Sequence, residues 1–321
     1  LRLHKREALM DWLYTVVGLV ILLLSGDSLV KGAVNLSLRL GVPALIVSLT
    51  IVAFGTSAPE LLISIQAIWD GVPGLALGNV VGSNTANVLL VLGIPALLAT
   101  LHTSECDTRT SYLQMMAATA LFIVMAFFGP LTWVSGVILL VALAAMLLHA
   151  ARSANAHRKA CECDPDIEGA DPKLGWPKIA LFLVLGLIGL PLGANLLVEG
   201  ATSIAREFGI SETVIGLTLV AIGTSLPELA TTVMAALRRQ ADVALGNVIG
   251  SNMFNLLGIM GVASLVGDIP VDLQFLRFDL WIMALSSALL IPFVFFKVDI
   301  NRTWGIALSL LYVTYLVVVL V

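Results

Sequence analysis

Charge is scarce in this chain. Asp, Glu, Lys and Arg make up 12% of its 321 residues against 59% hydrophobic ones, and the mean hydropathy is +1.02. A soluble globule carries nearer a quarter charged residues, so the chain is expected to sit in a membrane. It also lacks the apolar–polar alternation over about ten residues that a barrel strand requires; its apolar stretches are continuous and of helical length. That predicts an all-α polytopic protein. Cysteine is sparse: Cys106 stands alone, and Cys161 and Cys163 lie in a polar stretch with His157. No disulfide framework is implied, and three such ligands without a second pair read as a solvated loop rather than a metal or redox site. Histidine is nearly absent too. His4, His102, His149 and His157 all fall outside or at the ends of apolar stretches, which leaves no Ser–His or zinc constellation for an intramembrane enzyme.

Ten spans are expected, at roughly 11–32, 43–69, 73–99, 111–129, 132–150, 178–200, 211–237, 241–267, 279–296 and 303–321. Several exceed the ~20 residues a bilayer needs and carry Gly, Pro, Ser and Asn, so tilts or internal breaks are expected in them. The N-terminal segment runs into the first span without a recognisable cleavage site and is read as a retained anchor. With that end outside, twelve Lys and Arg fall on the inner side and five on the outer, in line with the positive-inside rule. Residues 151–177, mixed in charge and rich in Pro and Gly, then form a cytoplasmic linker between halves 1–150 and 178–321.

Two polar sentences are each written twice. AFGTSAPELL at 53–62 returns as AIGTSLPELA at 221–230, and LGNVVGSNTANVLL at 77–90 returns as LGNVIGSNMFNLLG at 245–258. Both pairs are offset by 168 positions, and residues 42–98 and 210–266 agree without a gap at 23 of 57 positions. Gly18/Gly186, Gly32/Gly200 and Ala33/Ala201 carry the register forward. Five spans per half is an odd number, so the second copy enters the membrane upside down. Two inverted-topology repeats follow, with a substrate site where they meet near the midplane.

Ala53, Thr56, Ser57 and Glu60 fall on one helical face, as do Ala221, Thr224, Ser225 and Glu228. Pro59 lacks an N–H and crowds the Gly55 carbonyl, so the helix is expected to bend there and free main-chain oxygens. Hydroxyl, carboxylate and carbonyl oxygens are the ligands of hard cations. Each buried carboxylate costs about 2.5 kcal/mol or more near the bilayer centre, and no Lys or Arg lies in the core of a span to pair with it. A bound cation or a proton is the simplest counter-charge. Ser83 and Asn87, like Ser251 and Asn255, share a face of helices that must look toward the carboxylates, which favours ligands over packing groups. Asn79, Asn84, Asn247 and Asn252 read as hydrogen-bonding glue between helices, and Gly78, Gly82, Gly246 and Gly250 as points of close approach.

The G-T-S-x-P-E and G-N-x-x-G-S-N motifs, present in both halves, resemble those of the cation/calcium exchanger superfamily. The resemblance covers the whole chain and looks closest to the compact prokaryotic sodium/calcium exchangers, which implies a prokaryotic plasma membrane and alternating access by a helix pair sliding against a core. It implies Glu60 and Glu228 as central calcium ligands with Thr56 and Thr224 beside them. Flanking sodium sites would draw on Ser57, Ser225, Ser83, Ser251 and the carbonyls of Ala53 and Ala221. Some relatives carry Asp at one of the positions of Asn87 and Asn255; here both are neutral. That sets the site charge at about −2, suited to one Ca²⁺ or two to three Na⁺ and against a potassium-dependent exchanger. The expected partners are therefore Ca²⁺, Na⁺ and the lipid bilayer, with no cofactor and no nucleic acid. A proton/calcium antiporter uses the same carboxylates but has no need of the hydroxyls. A cation channel fits less well, since channel ligand rings come from symmetric subunits rather than one inverted pair.

Overall fold

The computed structural model describes residues 2–103, 106, 108–160, 171, 173–209 and 221–320. Nearly all of these are helical, as lipid demands of segments that must satisfy every backbone group internally. In chain order the helices are α1 (Arg2–Leu40), α2 (Ala44–Thr56), α3 (Ala58–Trp69), α4 (Pro73–Leu98), α5 (Arg109–Phe127) and α6 (Trp133–Ala160), followed by α7 (Trp176–Glu207), α8 (Ala221–Thr224), α9 (Leu226–Leu237), α10 (Ala241–Val266), α11 (Phe275–Phe295) and α12 (Arg302–Leu320). Among the described residues, eight helices are long and apolar enough to cross a membrane, and α2 with α3 makes a ninth span bent by 42°. The expected span 211–237 is seen only in its second part, because 210–220 lie outside the described residues. The sequence-based spans and the two inverted repeats of five otherwise stand.

Two spans form the centre. In α4 and α10, 83% of the membrane-length window is buried, against 39% or less in the other long spans. Around them lie the bent spans with the Pro-Glu motifs. Against them packs the antiparallel pair α1 and α7, in which glycines let the backbones approach. Gly18 lies against the main chain of Leu197 and Gly186 against that of Leu29; Gly32 meets Leu183 and Gly200 meets Thr15. Adding 168 to Gly18 and Leu29 gives Gly186 and Leu197, and adding it to Thr15 and Gly32 gives Leu183 and Gly200. Each contact is thus the image of the other, which is what an inverted duplication dictates.

Short main-chain bridges tie the connections together, Leu101 to Ile300 at one end and Leu131 to Ile269 at the other. Helix α5 runs from the first of these ends to the second and α11 runs back, so the two cross in opposite directions, as images of an inverted repeat must.

Two boundaries differ from expectation. Helix α6 continues past residue 150 to Ala160, because ARSANAHRKA is rich in Ala, Arg and Lys, which favour helix, and holds neither Gly nor Pro. The first part of the expected 151–177 linker is therefore helical; Cys161 and Cys163 lie outside the described residues. Helix α1 runs on to Leu40 and stops where Gly41 takes φ +65° ahead of Pro43. A partly exposed ion cluster was not anticipated: Asp27, within the first span, pairs with Lys31 at 2.9 Å and with Arg238 at the end of α9. It fastens the α1–α7 pair to the motif-bearing span.

Candidate functional site

The two halves break their helices at the same place. Ser57 separates α2 from α3 with φ −86° and ψ 7°, and Ser225 separates α8 from α9 with φ −87° and ψ 4°. In both, proline sits in the first turn of the following helix, where its missing N–H costs nothing. The carboxylate one residue later falls in that same first turn, at the positive end of the helix dipole. The predicted bend is present; it falls at the serine, two residues before the proline. A π-helical turn at Ser48–Val52 precedes the first break. On the second motif the halves diverge: α4 is interrupted between Leu89 and Gly93, whereas α10 winds through a π-helix at Phe254–Ile259.

These breaks bring the motif residues into one buried cluster at the centre. Glu60 and Glu228 have no exposed surface, and Thr56, Ser57, Ser83, Asn87, Ser225, Ser251 and Asn255 are all buried with them. Across the repeats, the Ser57 hydroxyl donates to Glu228 Oε1 at 3.1 Å. Thr56 Oγ1 lies 3.3 Å from Asn247 Oδ1 and 3.5 Å from Ser251 Oγ. Ser225 donates to Ser83 at 3.5 Å, and Asn255 Nδ2 donates to the same Ser83 oxygen at 3.1 Å. Ser57, and Thr56 and Ser251 through Asn247, thus gather on the Glu228 side. The Ala53 carbonyl accepts the Ser57 N–H at 3.1 Å and faces the Thr56 hydroxyl at 3.3 Å. Thr224 is half-buried, and Ala221 opens α8, its side-chain surroundings lying outside the described residues.

Two of the four asparagines read as glue lock the carboxylate helices to the central ones. Asn79 Nδ2 donates to the Glu60 main-chain carbonyl and to Ser64 Oγ, both at 3.2 Å; Asn247 Nδ2 donates to the Glu228 carbonyl at 3.2 Å and to Thr232 Oγ1 at 3.1 Å. The other two lie where the central helices cross, with Asn84 Nδ2 donating to the Asn252 carbonyl at 3.2 Å.

What remains is a set of oxygens without donors. Both carboxylate oxygens of Glu60, Oε2 of Glu228, and the side-chain carbonyls of Asn87 and Asn255 are buried with no hydrogen-bond partner. All are acceptors, and native interiors rarely leave such groups unmatched. Among the described residues no group of three or more His, Cys, Asp and Glu is assembled, and neither carboxylate has a salt-bridge partner. Two carboxylates, neutral amide oxygens and hydroxyls buried together form a donor set for a hard cation. Sequence reasoning missed Met115 and Met283, which touch the asparagines of this cluster. Their separation of 168 residues was the signal that could have found them.

Inverted repeats meeting over a buried, oxygen-rich site define a secondary transporter. The chain belongs to the sodium/calcium exchanger protein family, which it matches over residues 10–151 and 178–321. It is 35% identical over 349 aligned positions to the sodium/calcium exchanger MaX1 of Methanosarcina acetivorans, covering 96% of this chain and 98% of that one. CaxA of Alkalimonas amylolytica, described as a candidate antiporter, is 36% identical over 310 residues, covering 94% of this chain and 96% of the relative. The fold is similar to that of the sodium-calcium exchanger NCX_Mj soaked with 2.5 mM Na⁺ and 0.1 mM Ca²⁺, with TM-score 0.80 and 31% identity, covering 95% of this chain and 96% of that one. The chain is thus an integral membrane antiporter.

Proposed function

We propose that this antiporter moves Ca²⁺ one way and Na⁺ the other by binding them in turn between Glu60 and Glu228. The observation that carries the reading is the set of five buried acceptor oxygens without donors on Glu60, Glu228, Asn87 and Asn255. Glu60 and Glu228 supply the charge for calcium, with Thr56 and Thr224 beside them. Ser57, Ser225, Ser83 and Ser251, with the Ala53 and Ala221 carbonyls, complete sodium positions when the carboxylates are not shared by a divalent ion. For Ala53 this requires the Thr56 hydroxyl to rotate away from its carbonyl. A proton-driven exchange uses the same carboxylates; the four serine hydroxyls favour sodium, since a proton needs no oxygen cage. No covalent chemistry is assigned to the site.

The halves are taken as 1–150 and 178–321 joined through 151–177, with the α-repeats at 42–98 and 210–266. The N-terminus is placed outside and the 151–177 connection in the cytoplasm, on the distribution of Lys and Arg. A reagent that cannot cross the membrane should leave Cys161 unlabelled in intact cells; labelling there reverses the topology.

The site assignment is tested by ⁴⁵Ca²⁺ uptake into sodium-loaded vesicles with Glu60→Gln and Glu228→Gln. Each removes a charge whose partner is the transported ion, so each is expected to abolish uptake while the protein remains folded. Near wild-type uptake in either variant refutes the assignment.

A further inference from the structure

Two chains of side chains lead away from the site, one the image of the other. In the first, Asn87 Nδ2 donates to Asn252 Oδ1 at 3.1 Å, and Asn252 Nδ2 donates to the sulfur of Met115 at 3.7 Å. In the second, Asn255 Nδ2 donates to Asn84 Oδ1 at 2.9 Å, and Asn84 Nδ2 donates to the sulfur of Met283 at 3.8 Å. Asn87, Asn252 and Met115 become Asn255, Asn84 and Met283 under the 168-residue offset. Met115 on α5 and Met283 on α11 are fully buried. Both lines end at the site in an amide oxygen, Asn87 Oδ1 or Asn255 Oδ1, that has no donor.

An asparagine amide can present either its oxygen or its NH₂ in nearly the same shape, and only the oxygen can hold a cation. A thioether sulfur carries no hydrogen and can only accept. Opposite an amide, it draws the NH₂ toward itself and turns the oxygen the other way. The next amide must then offer its own NH₂ to that oxygen, and its oxygen faces onward into the site. Where no other acceptor holds the amides, the polarity of such a line is therefore set at its sulfur end.

We infer that Met115 and Met283 are positioning residues which, through Asn252 and Asn84, hold the oxygens of Asn87 and Asn255 toward the transported cation. The two are unequal. Asn84 Nδ2 also donates to the Asn252 main-chain carbonyl at 3.2 Å and Asn255 Nδ2 to Ser83 Oγ at 3.1 Å, so the second line shares its hold between Met283 and these acceptors, whereas the sulfur of Met115 is the acceptor described for Asn252 Nδ2. Removing the Met115 sulfur frees Asn252 to turn over, Asn87 follows, and an NH₂ group enters the cation site. Removing that of Met283 does much less.

The inference rests on the ligand role proposed for Asn87, and the test separates the two. Met115→Leu keeps the volume of the side chain and removes the acceptor, so the core is preserved. In reconstituted vesicles, Met115→Leu should raise the Ca²⁺ concentration for half-maximal uptake about tenfold, the lower end of what loss of ligand-orienting contacts costs, with little change in maximal rate or Tm. Met283→Leu should raise it by a smaller factor, since Asn84 keeps its main-chain acceptor. Asn87→Ala should weaken binding at least as much as Met115→Leu, and adding Met115→Leu to Asn87→Ala should weaken it no further, since the methionine acts only through that oxygen. If Asn87→Ala weakens binding and Met115→Leu does not, the positioning role is overturned and the ligand role stands. Full additivity of the two changes overturns it as well, since a packing role would add. Unchanged affinity in Asn87→Ala overturns both. Should Met115→Leu fail to fold, the pair Met283→Leu and Asn255→Ala gives the same cycle with a smaller loss.

Discussion

Ser57 of the first repeat donates to Oε1 of Glu228 in the second at 3.1 Å, and its image does not form: Ser225 turns to Ser83 instead, at 3.5 Å. The duplicated site is therefore not used symmetrically. Glu228 keeps one oxygen without a donor, and Glu60 keeps both.

That inequality orders the carboxylate variants. Glu60→Gln removes the group with two free oxygens and should cost calcium binding more than Glu228→Gln, each loss being about 3 kcal/mol or more for an uncompensated buried ion. Calcium titration of the purified proteins measures the order. Equal losses would mean that Glu60 and Glu228 share the ion evenly despite the Ser57 contact.

Ser57→Ala and Ser225→Ala should shift sodium dependence more than calcium affinity. Each takes one neutral oxygen from a monovalent ion held by few ligands, whereas calcium retains both carboxylates. Half-maximal sodium concentration at fixed calcium should rise several-fold, by about 1 kcal/mol per lost oxygen. Loss of calcium affinity to the same degree would argue against separate sodium positions.

Asn247→Ala should lower stability more than Asn79→Ala. Asn247 serves the Glu228 carbonyl, Thr232 and the Thr56 hydroxyl, while Asn79 serves the Glu60 carbonyl and Ser64. Leaving buried partners unmatched costs about 1–3 kcal/mol each. Thermal unfolding in detergent checks the ranking, and a reversed order would mean that the Thr56 contact contributes nothing.

Gly18→Ala and Gly186→Ala should harm the protein alike, because their contacts are images. A Cβ at Gly186 would lie 2.9 Å from Leu29 Cα, and one at Gly18 would lie 2.9 Å from Leu197 Cα, so α1 and α7 must separate in either case. Overpacking of this kind costs about 1–3 kcal/mol. A normal Tm in one variant alone would show that the α1–α7 pair lacks the symmetry of the contacts.

Much of this was legible in the sequence because the chain states it twice. The 168-residue offset gave the inverted repeats, and carboxylates with no basic partner in any span marked the cation site. The bend was legible in Pro59, but its position was not, since a proline settles into the first turn of the next helix and moves the break back to Ser57. Asp27 was hidden for another reason: its partner Arg238 is 211 residues away, and only the packing of α1 against α9 brings them together. Met115 and Met283 look like ordinary core residues by composition. Their role depends on which end of an amide they face, and spacing along a chain does not carry that.

Sodium coupling is tested most directly by calcium flux under a set voltage. Three Na⁺ leaving a vesicle for each Ca²⁺ entering would carry one net positive charge outward, favoured by roughly 2.3 kcal/mol at 100 mV, inside positive. In sodium-loaded vesicles clamped with potassium and valinomycin, ⁴⁵Ca²⁺ uptake by the purified protein should rise as the interior is made positive and should vanish without sodium. Uptake that ignores voltage, persists without sodium and follows a pH gradient alone would contradict sodium exchange at Glu60 and Glu228 and leave proton exchange in its place.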